Sequence, residues 1–526
     1  MDTKALRQKI LGLAIRGKLV PQDPNDEPAS VLLERIRAEK QQMVKDGKLK
    51  PKDIKNDTII FVGEDNLHYE KFQNGSVKCI EDEIPFEVPK GWEWCRVRDI
   101  AAVKGGKRLP KGVGFSPCRT AHAYIRVTDM KNHSINTDDL KYISEEVFLQ
   151  IKNYTISKDD LYVTIAGTIG VTGEVPTELD GMNLTENAVK ITNIQINKTY
   201  LCLIIQSEFV QQQFQDKTHQ VAMPKLALER ILSTLIPVCT ITTQSAMVSK
   251  FVEMDSLINQ IREEKEILAE TVSLTKSKIL DLAIRGQLVP QDPNDEPASV
   301  LLERIRAEKE ELIKAGKIKR DKKESIIFRG EDNSYYQQTG TLIENINDWN
   351  LDDIPINWEL CCLGEICDYG NCVNVDTKDI DEEAWVLDLE DIEKDSDKVI
   401  HKIRKYERDS SSTKHLFKKG QVLYSKLRPY LNKVVLADEE GFCTSEILPL
   451  NFSNVVEPQY ALYYLMSPTF LKYANRCSYG VKMPRLGTAD GRKAVFPLPP
   501  FEEQRRISQH ISKIFIEIDN ISNMLL

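Results

Sequence analysis

The sequence predicts an α+β protein: two mixed α/β domains joined by two antiparallel long helices in a coiled coil, with an internal pseudo-twofold repeat and a circular organisation. Three observations carry this. Residues 9–40 (KILGLAIRGKLVPQDPNDEPASVLLERIRAEK) return at 278–309, changed only at Gly12/Asp281 and Lys18/Gln287. Between and after the copies, 85–237 and 355–497 are strand-rich stretches where the two halves differ most. Residues 247–285 carry a heptad.

Weaker echoes extend the repeat. Ile59-Ile60-Phe61 with Gly63-Glu64-Asp65 returns as Ile326-Ile327-Phe328 with Gly330-Glu331-Asp332. Pro89 and Trp92 return as Pro355 and Trp358, and Met223-Pro224-Lys225-Leu226 as Met483-Pro484-Arg485-Leu486. A period of about 260–270 residues is far too long for a solenoid and implies a tandem pair of large units.

The heptad, with a at 251, reads Phe251, Met254, Ile258, Ile261, Lys265, Leu268, Val272, Thr275, Ile279, Leu282, apolar except at Lys265 and Thr275. The intervening Arg262-Glu263-Glu264-Lys265-Glu266 is charged. A helix of roughly 32 residues spans roughly 48 Å, a spacer rod. Its echo is divided between the chain ends: Ile511, Ile514, Ile518 and Ile521 match the first half, and Leu6, Ile10 and Leu13 the second. The C-terminal helix (498–526) and the N-terminal helical region (1–50) are therefore expected to lie end to end and pack antiparallel on the central helical spacer region (245–330).

After the turn at 17–28, Pro28 and Pro297 suit the first position of a second helix, with Val31, Leu32, Ile36, Met43 and Val44 as its apolar stripe. Core packing does not require Glu34, Arg35, Arg37, Glu39 and Lys40 to recur as Glu303, Arg304, Arg306, Glu308 and Lys309. Either the duplication has not diverged, or one surface binds the same partner twice. On the second account Glu34, Arg35, Arg37, Glu303, Arg304 and Arg306 are the partner-binding candidates.

In the variable stretches, 161–165 alternates like 422–425, and 198–215 and 458–473 read as helices. Basic clusters occupy predicted loops and strand ends. The first stretch has Lys104-Gly105-Gly106-Lys107-Arg108-Leu109-Pro110-Lys111, then Arg126 and Thr128; its glycines allow close backbone approach to a ligand. The second has Lys414, Lys418 and Lys419, then Lys426, Arg428, Tyr430 and Lys433, with Lys482 further on. Such mixtures suit phosphate contacts and base-edge readout of double-stranded DNA. Any one cluster alone fits a solvated loop; recurrence in both stretches favours binding. Base contacts fall on Lys107, Arg108, Arg126, Thr128, Lys426, Arg428, Tyr430 and Lys433, while Lys225 and Arg485, at matching positions, suit phosphate.

Composition sets the frame. The 526 residues, 41% hydrophobic and 29% charged, are those of a soluble globular protein of three or four structural units. Without an apolar run near 18 residues or a basic leader, neither a membrane span nor secretion is expected, and a cytoplasmic address follows by default. The 11 cysteines form no CxxC pair, and the spacing of Cys361, Cys362, Cys367 and Cys372 is wrong for common zinc sites; reduced structural thiols and no metal are expected. A net charge of −9 argues weakly against nucleic acid, but charge acts locally.

The chain resembles, over essentially its full length, the specificity subunit of type I restriction–modification systems. The match is carried by Ala14-Ile15-Arg16-Gly17-Lys18-Leu19-Val20-Pro21 and its repeat, Ile354-Pro355 with Trp358, Tyr124-Ile125-Arg126, both Met-Pro-Lys/Arg-Leu copies, and Pro497-Leu498-Pro499-Pro500-Phe501-Glu502-Glu503-Gln504. The first unit departs from that last element at Pro237-Val238-Cys239-Thr240-Ile241-Thr242-Thr243-Gln244. The resemblance implies two target-recognition domains (85–237 and 355–497), each binding half of a bipartite DNA target with an unread spacer between. It also implies two methylation subunits held by the helices, and restriction subunits completing an endonuclease. S-adenosylmethionine, ATP and Mg²⁺ would belong to those partners, with no cofactor in this chain. A rod of roughly 48 Å against roughly 34 Å per turn of DNA puts the half-sites about a turn or slightly more apart.

A catalytic reading finds little support. An amine methyltransferase needs an Asn/Asp-Pro-Pro-Tyr/Phe element, but Leu498 stands in the acceptor's place before Pro499-Pro500-Phe501. There is no Walker A loop and no Pro-Asp dipeptide, and the 7 histidines are scattered. The chain is expected to be non-catalytic. The alternatives are a coiled-coil protein-interaction scaffold and a stand-alone DNA-binding regulator; a steep salt dependence separates DNA binding from the scaffold.

Overall fold

The computed structural model describes residues 2–216, 225–316, 324–349, 351, 353–408 and 412–525, so Met223, Pro224 and Leu526 lie outside the described residues. The chain divides into two compact units, 1–264 and 265–526.

The first unit opens with α1 (Thr3–Ile15), whose N-cap Asp2 accepts from the Lys4 and Ala5 N–H groups at 2.8 and 3.1 Å. The chain then turns at Gly17, with φ at 66°, where an added Cβ would fall 2.4 Å from Pro89. Glycine is thus required there for conformation and for space. The second unit repeats this at Gly286 and Pro355, with 2.3 Å available. The repeated turn and the repeated Pro and Trp are therefore packing partners. Helix α2 (Ala29–Lys45) starts one residue later than predicted, because Pro28 is extended (φ −60°, ψ 148°) as the N-cap. Its buried stripe is Ala29, Leu32 and Ile36, whereas Val31 faces solvent.

Residues 58–79 form an antiparallel meander of Thr58–Val62, His68–Phe72 and Val77–Cys79. The second unit repeats it as Ser325–Arg329, Tyr335–Thr339 and Leu342–Asn345, so 245–330 is not helical to its end. The echo at Ile59 and Ile326 is the first strand of each meander.

Each variable stretch is closed by its own ends. Glu93–Arg96 pairs antiparallel with Leu235–Val238, and Glu359–Cys362 with Val495–Leu498. Inside the first, Met182–Leu184 lies parallel to His122–Ile125, and Leu161–Thr164 lies between Thr172–Glu174 and Ala188–Thr192. Inside the second, Gly441–Thr444 lies parallel to Trp385–Leu387, and Val422–Ser425 lies between Val434–Leu436 and Ile447–Leu450. The strands Leu161–Thr164 and Val422–Ser425 are buried at all four positions, so they are covered on both faces rather than alternating.

The predicted helix at 198–215 is two, Lys198–Gln206 and Glu208–Asp216, broken at an extended Ser207. That at 458–473 is likewise Pro458–Met466 and Pro468–Cys477. Pro468 disfavours a helical residue before it, and Ser467 instead caps the next helix, its Oγ accepting from the Phe470 N–H at 3.3 Å.

Helix α3 (Ile241–Ile284) runs 44 residues, longer than the rod predicted. In the first unit, Phe251 and Ile258 pack with Ile10 and Leu11 of α1, and Arg7 Nε meets Asp255 at 2.8 Å. The second unit continues through α4 (Ala298–Lys314) and ends in α5 (Phe501–Leu525). There Leu280 and Ile284 share a core with Ile507 and Ile511, and Lys276 pairs with Asp519. No described helix is long and apolar enough to cross a membrane.

Candidate nucleic-acid interface

In the first domain two of the predicted basic residues, Arg108 and Lys225, meet at Glu186, which follows the strand Met182–Leu184. Arg108 Nε donates to its carboxylate at 2.6 Å, and Lys225 Nζ to its backbone carbonyl at 3.3 Å. Burial is the largest single influence and works against the charged carboxylate, but the hydrogen bonds from Arg108, the Glu186 backbone and Thr185, with the Arg108 charge, together hold Glu186 below the ordinary range. Lys107 N–H donates to the Leu184 carbonyl at 2.9 Å, and its ammonium lies 5.4 Å from the Tyr154 ring centre. Gly106 serves the chain and not a ligand, because an added Cβ would stand 2.0 Å from the Thr185 carbonyl oxygen. Lys104, Lys111 and Thr128 are exposed. Arg126 is spoken for: its Nη2 and Nε donate to the buried Asp129 at 2.6 and 3.1 Å, which orders the turn Val127–Asp129 that presents Thr128.

The second domain separates its candidates. Lys426, Arg428, Tyr430, Lys433 and Arg485 gather at the exit of Val422–Ser425. Lys418 and Lys419 sit in the turn before that strand, at its other end, and are exposed. Lys414 is 2% exposed and its Nζ donates to Asp388 at 2.9 Å, a structural pair within the sheet. Lys433 Nζ donates to the Leu389 carbonyl at 2.6 Å, and burial lowers its pKa. Tyr430 and Lys482 point to solvent. Arg485 donates to both oxygens of Glu446 through Nε, at 3.2 and 3.0 Å, and to one through Nη2 at 2.9 Å.

The two glutamates escaped the sequence reading. Their signal was the offset: Glu446 follows Glu186 by the same interval that separates Arg485 from Lys225.

Among the partner-binding candidates, Glu34 and Glu303 are exposed, and Arg35 and Arg304 make local pairs with Glu27 and Glu296 at 3.4 and 2.7 Å. Arg37 lines a small pocket with Asp57 and Asp99. Arg306, itself exposed, pairs with the buried Glu365 at 2.8 Å. Cys361 and Cys362 are buried free thiols, and among the described residues no group of three or more His, Cys, Asp or Glu is placed to hold a metal.

Two domains, each bounded by a strand pair and each gathering basic residues around one glutamate, repeat one plan within the chain. The family model for the type I restriction modification DNA specificity domain matches residues 89–270 and 355–525, and the chain belongs to that family. It is 30% identical over 429 residues to the type I restriction enzyme EcoAI specificity subunit of Escherichia coli, covering 70% of this chain and 63% of that protein. With the EcoEI specificity subunit of Escherichia coli it shares 29% over 414 residues, covering 69% of this chain and 61% of that one. The chain thus spans less than two thirds of the length of these relatives. A solved structure from work on complex assembly and conformational transition of the type I R-M system shares the fold, with a TM-score of 0.51 at 16% identity, over 84% of this chain and 94% of that one.

Proposed function

We propose that the chain is the non-catalytic DNA sequence-recognition subunit of a type I restriction–modification enzyme. Each domain reads one half of a bipartite target across an unread spacer. The observation that carries this is the recurrence, in two otherwise diverged domains, of basic residues gathered around Glu186 and Glu446. The repeated helical blocks hold two methylation subunits, and restriction subunits complete the assembly; S-adenosylmethionine, ATP and Mg²⁺ are theirs. A coiled-coil linker and a circular pseudo-twofold layout belong to the same proposal, supported by the sequence repeat and by the matching packing of Gly17 and Gly286.

The test is co-expression with the cognate methylation subunit, followed by the mass of the complex and sequencing of methylated adenines. A two-to-one complex writing one split motif is expected. Absence of both would favour the protein scaffold.

A further inference from the structure

The repeated Met-Pro-Lys/Arg-Leu element has a structural use that its sequence did not disclose. In the second domain Leu486 is 1% exposed, and its N–H donates to the Lys426 carbonyl at 3.0 Å. The Pro484 carbonyl accepts from the Arg428 N–H at 2.7 Å. The element thus lies along the loop that follows Val422–Ser425, and Arg485 fastens it by gripping Glu446. Glu446 is a firm anchor: its carbonyl accepts from the Lys426 N–H at 3.0 Å, and the strand Ile447–Leu450 begins at the next residue.

The fastened loop is one that would not hold its shape alone. Arg428 (φ 50°, ψ 63°) and Asn432 (φ 48°, ψ 55°) are both left-handed, a costly conformation for an arginine that persists only where the surroundings impose it. Arg428 Nε is buried with no hydrogen-bond partner in the free protein, and Tyr430 is 47% exposed on the same turn. With Nε closed off from solvent, it is the Nη groups of this guanidinium that would meet the paired acceptors on the major-groove edge of a guanine.

The first domain shares only part of this arrangement. Leu226 is fully buried, with its N–H donating to the Ile165 carbonyl at 2.9 Å, the counterpart of Lys426. Lys225 Nζ donates to the backbone carbonyl of Glu186, whose carboxylate holds Arg108 instead, so the side-chain clasp belongs to the second domain.

Resting on the DNA-recognition reading above, we propose that Glu446 is a positioning residue for sequence readout. Through Arg485 it clasps the Arg485-Leu486 segment over the reading loop of the second domain, and this clasp sets Arg428 for a base edge.

The test uses the full chain with its cognate methylation subunit. Methylated adenines are mapped for wild type, Glu446→Ala, Arg485→Ala, the double variant and the milder Glu446→Gln, with melting temperatures measured alongside. Loss of one oriented contact should raise methylation at sites mismatched in the second half about tenfold or more. The first half should stay as strict as in wild type, and the double variant should be no worse than either single one. A second half as strict as wild type in folded Glu446→Ala and Glu446→Gln would overturn the clasp. So would equal loss of both halves. A wild-type complex that writes no split motif would instead overturn the DNA-recognition reading itself.

Discussion

Gly106 and its neighbour Gly105 differ in what the fold asks of them. A Cβ at Gly106 would stand 2.0 Å from the Thr185 oxygen and 2.5 Å from that of Leu184, while at Gly105 nothing lies within 4 Å. Gly106→Ala should cost about 1–3 kcal/mol and Gly105→Ala within about 0.5 kcal/mol, read from thermal unfolding; equal melting temperatures would contradict this. Asp99 gives a pH signature. Its loss of water dominates over the Thr58 and Arg96 N–H bonds it accepts and pushes its pKa up to about 6 from 3.8. The folded state then binds more protons than the unfolded one across that window, so this group's contribution is full below it and fades as pH rises through it, by up to about 3 kcal/mol. Urea unfolding at about pH 4.5 and about pH 7 should lose that component in Asp99→Asn; an unchanged pH dependence would contradict it. At this scale the sequence displayed cations but not their partners. Lys414 read as one of a surface cluster, and only the sheet reveals Asp388 beside it. Glu186 and Glu446 carried no signal in a chain that is 29% charged until the repeat offset was applied to them.

Among the elements, the strand that opens each variable domain is tied to the preceding meander by different chemistry in the two units. In the first, buried Arg96 donates to Glu70 at 3.2 and 2.8 Å and to Glu83 at 2.8 Å. In the second, Cys362 and Gln337 take the places of Arg96 and Glu70, with Gln337 Nε2 reaching Cys362 Sγ at 3.1 Å and the Lys493 carbonyl at 2.7 Å. Breaking the buried ion pair on one side, Arg96→Cys, should cost about 3–5 kcal/mol, because Glu70 is left charged and unpaired. Adding Glu70→Gln transplants the neutral pair and should recover much of the loss. Chemical denaturation of both variants checks this, and simply additive losses would refute it. The long helices were legible because apolar residues recur with helical or heptad spacing over many turns. The helix breaks were half legible: Pro468 announces one, but Ser207 gives no comparable sign. The meanders left only short echoes, since three- to five-residue strands on a small sheet carry too little periodicity to be read alone.

For the whole molecule, the sequence displayed its plan more openly than its parts, because a block of 32 residues repeated with two changes needs no propensity argument. What stayed hidden was that each domain, bounded in the sequence at 85–237 and 355–497, closes by pairing a strand from each of its own ends. The pairs Glu93–Arg96 with Leu235–Val238, and Glu359–Cys362 with Val495–Leu498, make those closures. They also define the most direct test of the central claim, that each domain reads one half-site by itself. Replacing residues 97–234 with a second copy of 363–494, on the full chain with its cognate methylation subunit, exchanges one domain at its own strand gate. Mapping the methylated adenines should then return a motif with the second domain's half-sequence on both sides of the spacer. A motif that keeps the original first half would show that recognition does not reside in the exchanged domain, and the account would fail.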